Sequence, residues 1–114
     1  LAEQARARGV RIVGATLPPF KHALQGTPLE GHYSPRKDAL RQRLNTWIRA
    51  SGAFDAVVDF DAVLRDPADP ARLRPAYDSG DHLHPGDAGY RAMAVAIDLR
   101  ALLGRASLAT GVQP

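Results

Sequence analysis

Two short apolar runs, VRIVGATL at residues 10–17 and FDAVVDF at residues 54–60, limit the fold of this chain more than any other feature. Both are brief and rich in β-branched residues, as strands buried inside a parallel sheet are. One helical segment separates them. Ser34 followed by Pro35 reads as a cap and a first-turn proline, and Leu40, Leu44, Trp47 and Ile48 fall at i, i+4, i+7 and i+8 on one face before Gly52 stops the helix. Strand, helix, strand in that order predicts a right-handed parallel crossover and an α/β class.

The remaining segments set the boundaries. Residues 1–8, LAEQARAR, have helix propensity but no Ser, Thr, Asp or Asn cap ahead of the first turn, so the start of this helix is expected elsewhere, with Gly9 as its end. Residues 16–35 are broken by prolines and glycines and are too long for a simple connection; a loop of this kind covers something. Residues 66–75 read as a proline-punctuated loop. Pro85 to Gly89 opens a last helix with Tyr90, Met93, Ala94, Ile97 and Ala101 on its inner stripe and Gly104 as its end, leaving a frayed tail at 105–114. Parallel sheets normally hold more than two strands, so residues 1–104 read as the C-terminal half of a doubly wound domain.

Composition narrows the function classes. Fifteen Lys and Arg against twelve Asp and Glu leave a net charge of +3, but the basic residues are dispersed and not interleaved with aromatics, so no nucleic-acid partner is expected. The apolar runs fall far short of the roughly 18 residues that span a bilayer, and no targeting segment is visible, so no membrane contact is expected either. With no cysteine there is no disulfide, thiolate metal site or cysteine nucleophile.

The chemistry concentrates in YDSGDHLHPGDAGYRAMA, residues 77–94, after the second strand, where ligands gather in open α/β sheets. In a tight turn Asp81 can hold one imidazole nitrogen of His84 while the other faces outward as a general base, and Pro85 keeps His84 extended. The same residues also suit a solvated loop. Asp78 reads most simply as a turn residue and Asp87 as a first-turn carboxylate. A metal site would use His82, His84 and one of Asp78, Asp81 or Asp87, but histidines at i and i+2 on an extended segment point to opposite sides. His22 and His32 fall in the long loop, either lining a pocket or facing solvent. Asp59 and Asp61, at the end of the second strand, either hydrogen-bond loop backbone or approach substrate, the structural role being favoured.

The run DSGDHLHPGDAGYRAMA resembles the last sequence block of the SGNH hydrolases, the GDSL-type esterases and lipases, in which a D-x-x-H-P stretch precedes the final helix. VRIVGATLPPF and YSPRKDALRQRLNTWIRASGAFDAVVDFDAVLRDP resemble the preceding blocks of a bacterial subgroup of acylhydrolases, so that the likeness extends over residues 1–104. The resemblance implies the C-terminal portion of a three-layer α/β/α, flavodoxin-like domain, with Asp81 as triad aspartate and His84 as triad base. It implies an ester substrate (lipid, aryl or carbohydrate) and no metal or organic cofactor. The family's serine lies in an N-terminal Gly-Asp-Ser motif, and its oxyanion hole adds a glycine and an asparagine from intermediate blocks. Here Ser34, Ser51, Ser79 and Ser107 lack that context, and Asn45 lies within a helix. The partner expected is therefore a missing N-terminal half; self-association through an exposed sheet edge is the alternative.

Overall fold

The computed structural model describes residues 1–104; the tail expected at 105–114 lies outside them. Helix α1 (Ala2–Ala7) leads into strand β1 (Val13–Ala15), which pairs in parallel with β2 (Ala56–Val58), Gly14 standing opposite Val57. The strands are shorter than the apolar runs, yet single bonds extend the ladder at both ends, from Asp55 N–H to Ile12 O (2.8 Å) and from Thr16 N–H to Val58 O (3.1 Å). Gly14 is required by close approach, since a Cβ there would meet the Phe54 ring at 2.5 Å. That ring packs edge-to-face on Trp47, with centroids 5.7 Å apart.

Helix α2 (Pro35–Ala50) starts as expected: Ser34 Oγ accepts the Lys37 N–H (3.1 Å) ahead of Pro35. Its buried face is not the apolar one. Leu40, Leu44 and Trp47 are each about half exposed, and of the predicted stripe only Ile48 is buried, alongside Asp38, Arg41 and Asn45. These polar groups go inside because they satisfy one another and the loop beneath. Arg41 donates to Asp38 Oδ1 (2.8 Å), Asp61 Oδ1 (2.6 Å) and Leu17 O (3.0 Å). Asn45 takes both backbone groups of one residue: Leu17 N–H donates to its Oδ1 (2.7 Å), and its Nδ2 donates to Leu17 O (2.9 Å).

Beyond β2 the chain departs from the expected loop. Asp59 caps a short helix α3 (Phe60–Leu64), so Phe60 and Asp61 are helical. Strands β3 (Arg65–Asp66) and β4 (Asp69–Leu73) then form a small antiparallel hairpin where residues 66–75 read as loop. The Asp66 carboxylate builds the turn by accepting the Ala68 N–H (2.9 Å) and the Arg72 Nε–H (2.8 Å). Leu64, Leu73 and Ala23 form the driest part of the core, so the long first loop contributes to it.

The last helix is two helices. Chain direction changes at Ile97, which is extended, and Asp98 caps the second by accepting the Arg100 N–H (2.9 Å), giving α4 (Asp87–Ala96) and α5 (Leu99–Leu103). Gly104, with φ +74°, ends α5 as expected, and Arg11 donates to the Ala101 and Leu102 carbonyls beside it. The predicted inner stripe is also revised: Tyr90, Ala94 and Ile97 are exposed, and Gly89 is the buried residue of α4. A Cβ at Gly89 would lie 2.6 Å from Tyr77 O and 2.8 Å from Pro85 Cβ, so the missing side chain lets α4 close onto the loop that precedes it.

Candidate active site

That loop is pinched at its base. Asp78 and Pro85 form an antiparallel bridge, Gly86 N–H donates to Tyr77 O (2.8 Å) and Ser79 N–H to His84 O (3.1 Å), leaving residues 79–84 as a small turn. Within it the Asp81 carboxylate gathers nearby donors. Its Oδ1 accepts the N–H groups of Leu83 and His84 (2.8 Å each) and the Ser79 hydroxyl (3.1 Å), while Oδ2 lies 2.6 Å from His84 Nδ1. The His84 backbone N–H first, and its ring next, hold the Asp81 carboxyl well below the usual carboxylate range. An ionised carboxylate only accepts, so the pair places a ring proton on Nδ1, and in the neutral ring the lone pair is then on Nε2.

The His84 side chain is 62% exposed, and among the described residues Nε2 has no hydrogen-bond partner. The two residues that the D-x-x-H spacing singled out are thus brought together, in a geometry able to accept a proton at Nε2. The serine hydroxyls of the described residues are engaged elsewhere. Ser79 donates to Asp81 rather than to His84, Ser34 caps α2, and Ser51 Oγ accepts the Ala53 N–H (3.1 Å); Ser107 lies outside the described residues.

The other acidic residues divide. Asp87 is exposed in the first turn of α4. Asp78 does make the turn, accepting the N–H groups of Gly80 (2.8 Å) and His82 (3.0 Å), but it also binds the His82 ring, with Oδ2 2.5 Å from Nδ1. This second aspartate–histidine pair was not anticipated; the only trace of it in sequence is an i, i+4 spacing around Gly80. Each of the two imidazoles therefore has its own carboxylate, and no group of three metal-ligating side chains converges among the described residues. Asp59 and Asp61 are structural: Asp59 accepts a two-pronged pair from Arg49 (2.8 and 2.9 Å), and Asp61 is shared by Arg41, Arg49 and Arg65.

A hollow of about 400 Å³ opens beside Leu83, walled by Leu17, Pro18, Phe20, Leu40 and Leu44, with His32 at one side against the Phe20 ring. His22 lines a second hollow and meets the His82 ring edge-to-face at 6.2 Å. Both loop histidines thus line pockets.

Residues 1–92 match the GDSL-like lipase/acylhydrolase family. The chain belongs to that family. Its fold is similar to that of a GDSL-like lipase from Bacteroides thetaiotaomicron VPI-5482, with a TM-score of 0.68 and 22% identity over 90% of this chain. The likeness covers 48% of that protein, so the chain spans about half the length of its solved relative. No curated protein matches it. The α/β class and the parallel pairing of β1 and β2 agree with this membership in the GDSL-like family.

Proposed function

We propose that this chain is the C-terminal, acid–base half of a serine ester hydrolase, with His84 as general base and Asp81 as the group that fixes its tautomer. The observation that carries the reading is the Asp81–His84 pair: Nδ1 lies 2.6 Å from a carboxylate anchored by its own backbone, and the ring is open to solvent. In the complete enzyme His84 Nε2 accepts the proton of a serine hydroxyl as its oxygen attacks the ester carbonyl. The same proton passes to the departing alcohol, leaving an acyl-serine. Water then attacks this ester, again losing its proton to Nε2, and the acid is released with the serine restored. Serine and oxyanion donors come from an N-terminal half. The exposed flank Leu40, Leu44 and Trp47 on α2 and the unpaired edge of the β1–β2 sheet support a partner of that kind.

The test is hydrolysis of a short-chain aryl ester by the chain joined to a family N-terminal half. Rate should depend on the added serine, fall by about 10⁴–10⁶ with His84→Ala and by about 10⁴ with Asp81→Asn. Hydrolysis indifferent to His84→Ala overturns the assignment. Self-association through the same flank is the second reading; a monodisperse monomer in sedimentation at high concentration removes it.

A further inference from the structure

Among the described residues, the non-glycine residues with left-handed backbone are His22 (φ +68°), Leu24 (φ +59°) and His82 (φ +62°), and all of them meet at one seam. His22 and His82 stack ring edge to ring face, and Leu24 N–H donates to Asp81 O (2.8 Å). A non-glycine residue is strained in this region, and strain of this kind persists only where its surroundings over-determine it. At His82 the agent is Asp78. It holds His82 twice, by backbone N–H and by ring, and its side chain is more buried than that of Asp81, 11% exposed against 36%.

We propose that Asp78 and His82, braced by His22, form a positioning clamp that sets the direction of the Asp81–His84 pair. The inference rests on the reading of His84 as the base. The backbone conformation at His82 orients the peptide planes that follow it, and these carry the Leu83 and His84 N–H groups that both donate to Asp81 Oδ1. If His82 relaxes out of the left-handed region, those donors swing away, the carboxylate loses its anchor, and Oδ2 no longer meets Nδ1 squarely. The Leu24 bond ties the same turn to the first loop from the other side. His82 and Asp78 are thus positioning residues, acting on the reaction only through His84.

The decisive measurement is imidazole ¹⁵N NMR on this chain, which reads the His84 tautomer directly and needs no activity. In the parent, the neutral His84 ring should hold its proton on Nδ1 as a single tautomer. In His82→Ala, which loses the ring and disfavours left-handed φ, the His84 signals should move to a mixture of tautomers; His82→Asn, which tolerates that φ, should restore much of the parent spectrum. Should His82→Ala fail to fold, Asp78→Asn decides in the same way, since it keeps an acceptor for the Gly80 and His82 N–H groups but removes the charge facing the ring. In the complete enzyme the clamp variants should lower kcat about tenfold with KM unchanged. An unchanged His84 tautomer in folded His82→Ala or Asp78→Asn overturns the proposal. Failure of the esterase reading shows separately, as hydrolysis that His84→Ala leaves intact.

Discussion

Replacing Arg41 by methionine tests whether the polar interior of α2 is as dry as its geometry requires. The Arg41 and Asp61 side chains are 5% and 6% exposed, and Asp38 is likewise 6%. Arg41→Met keeps much of the volume but removes the bonds to Asp38, Asp61 and Leu17 O together. The carboxylates left behind do not suffer equally. Asp61 retains Arg49 (2.8 Å) and Arg65 (3.2 Å), whereas Asp38 retains only the neutral amide of Gln42 (2.7 Å), so most of the cost falls on Asp38. Stranding a buried charge costs about 3–5 kcal/mol. At about 1.4 kcal/mol per decade, that lowers the folded-to-unfolded ratio by two to more than three orders of magnitude, a large share of the stability of any small domain. Urea denaturation at neutral pH reads the loss, and adding Asp38→Asn to Arg41→Met should recover part of it by removing the stranded charge. A loss under about 1 kcal/mol, the range of exposed pairs, would mean that the network is solvated and that α2 does not bury this face.

Further predictions concern the same frame. Asn45→Leu leaves the Leu17 N–H without its partner and should cost about 1–3 kcal/mol in urea unfolding, with an unchanged midpoint refuting the role of this amide. Gly89→Ala should destabilise by about 1–3 kcal/mol in thermal melts because Tyr77 O and the Pro85 ring cannot yield, whereas Gly31→Ala, with open space around it, should melt like the parent. The Asp59 carboxyl is lowered to about 2, chiefly by its bonds from Arg49. A carboxyl depressed in the folded state stabilises fully above its unfolded value near 4 and loses that contribution as pH falls through about 2. Urea midpoints followed from pH 5 to pH 1 should therefore fall, and Asp59→Asn should flatten its part of that slope.

The parallel pair was legible because β1 and β2 are the places where β-branched residues run together, and the start of α2 because Ser34 and Pro35 carry their effect locally. The burial of α2 was not. A rule that turns the apolar stripe inward assumes that polar side chains find their partners in water, and Asp38, Arg41 and Asn45 find them instead in Asp61 and in the backbone of Leu17. The β3–β4 hairpin escaped notice for a similar reason. DPARL has little intrinsic strand character, and its extended form is held from outside, by Arg74 N–H on Leu64 O (2.8 Å) and Lys21 N–H on Ala71 O (2.9 Å). The break between α4 and α5 did leave a mark, Asp98 ahead of LRALLG, a cap and a terminal glycine framing a separate short helix.

The candidate site divides along the same line. Asp81 and His84 could be paired from sequence because every donor to that carboxylate lies within three residues of it, so spacing alone constrains the geometry. The Asp78–His82 pair has a spacing that suggests a helix, and it closes only because Gly80 (φ +109°) and His82 both take positive φ. For Gly80 the residue type announces this; for His82 nothing does, since the forces that hold it come partly from His22, sixty positions upstream. Local preference fails where a distant contact overrides it, and here the failures, His22, Leu24 and His82, adjoin the Asp81–His84 pair, whose imidazole is the more exposed of the two that face a carboxylate in this turn. On the proposed reading of His84 as the base, the left-handed residues at that seam are the ones that would aim its ring, which is what the His82 variants test.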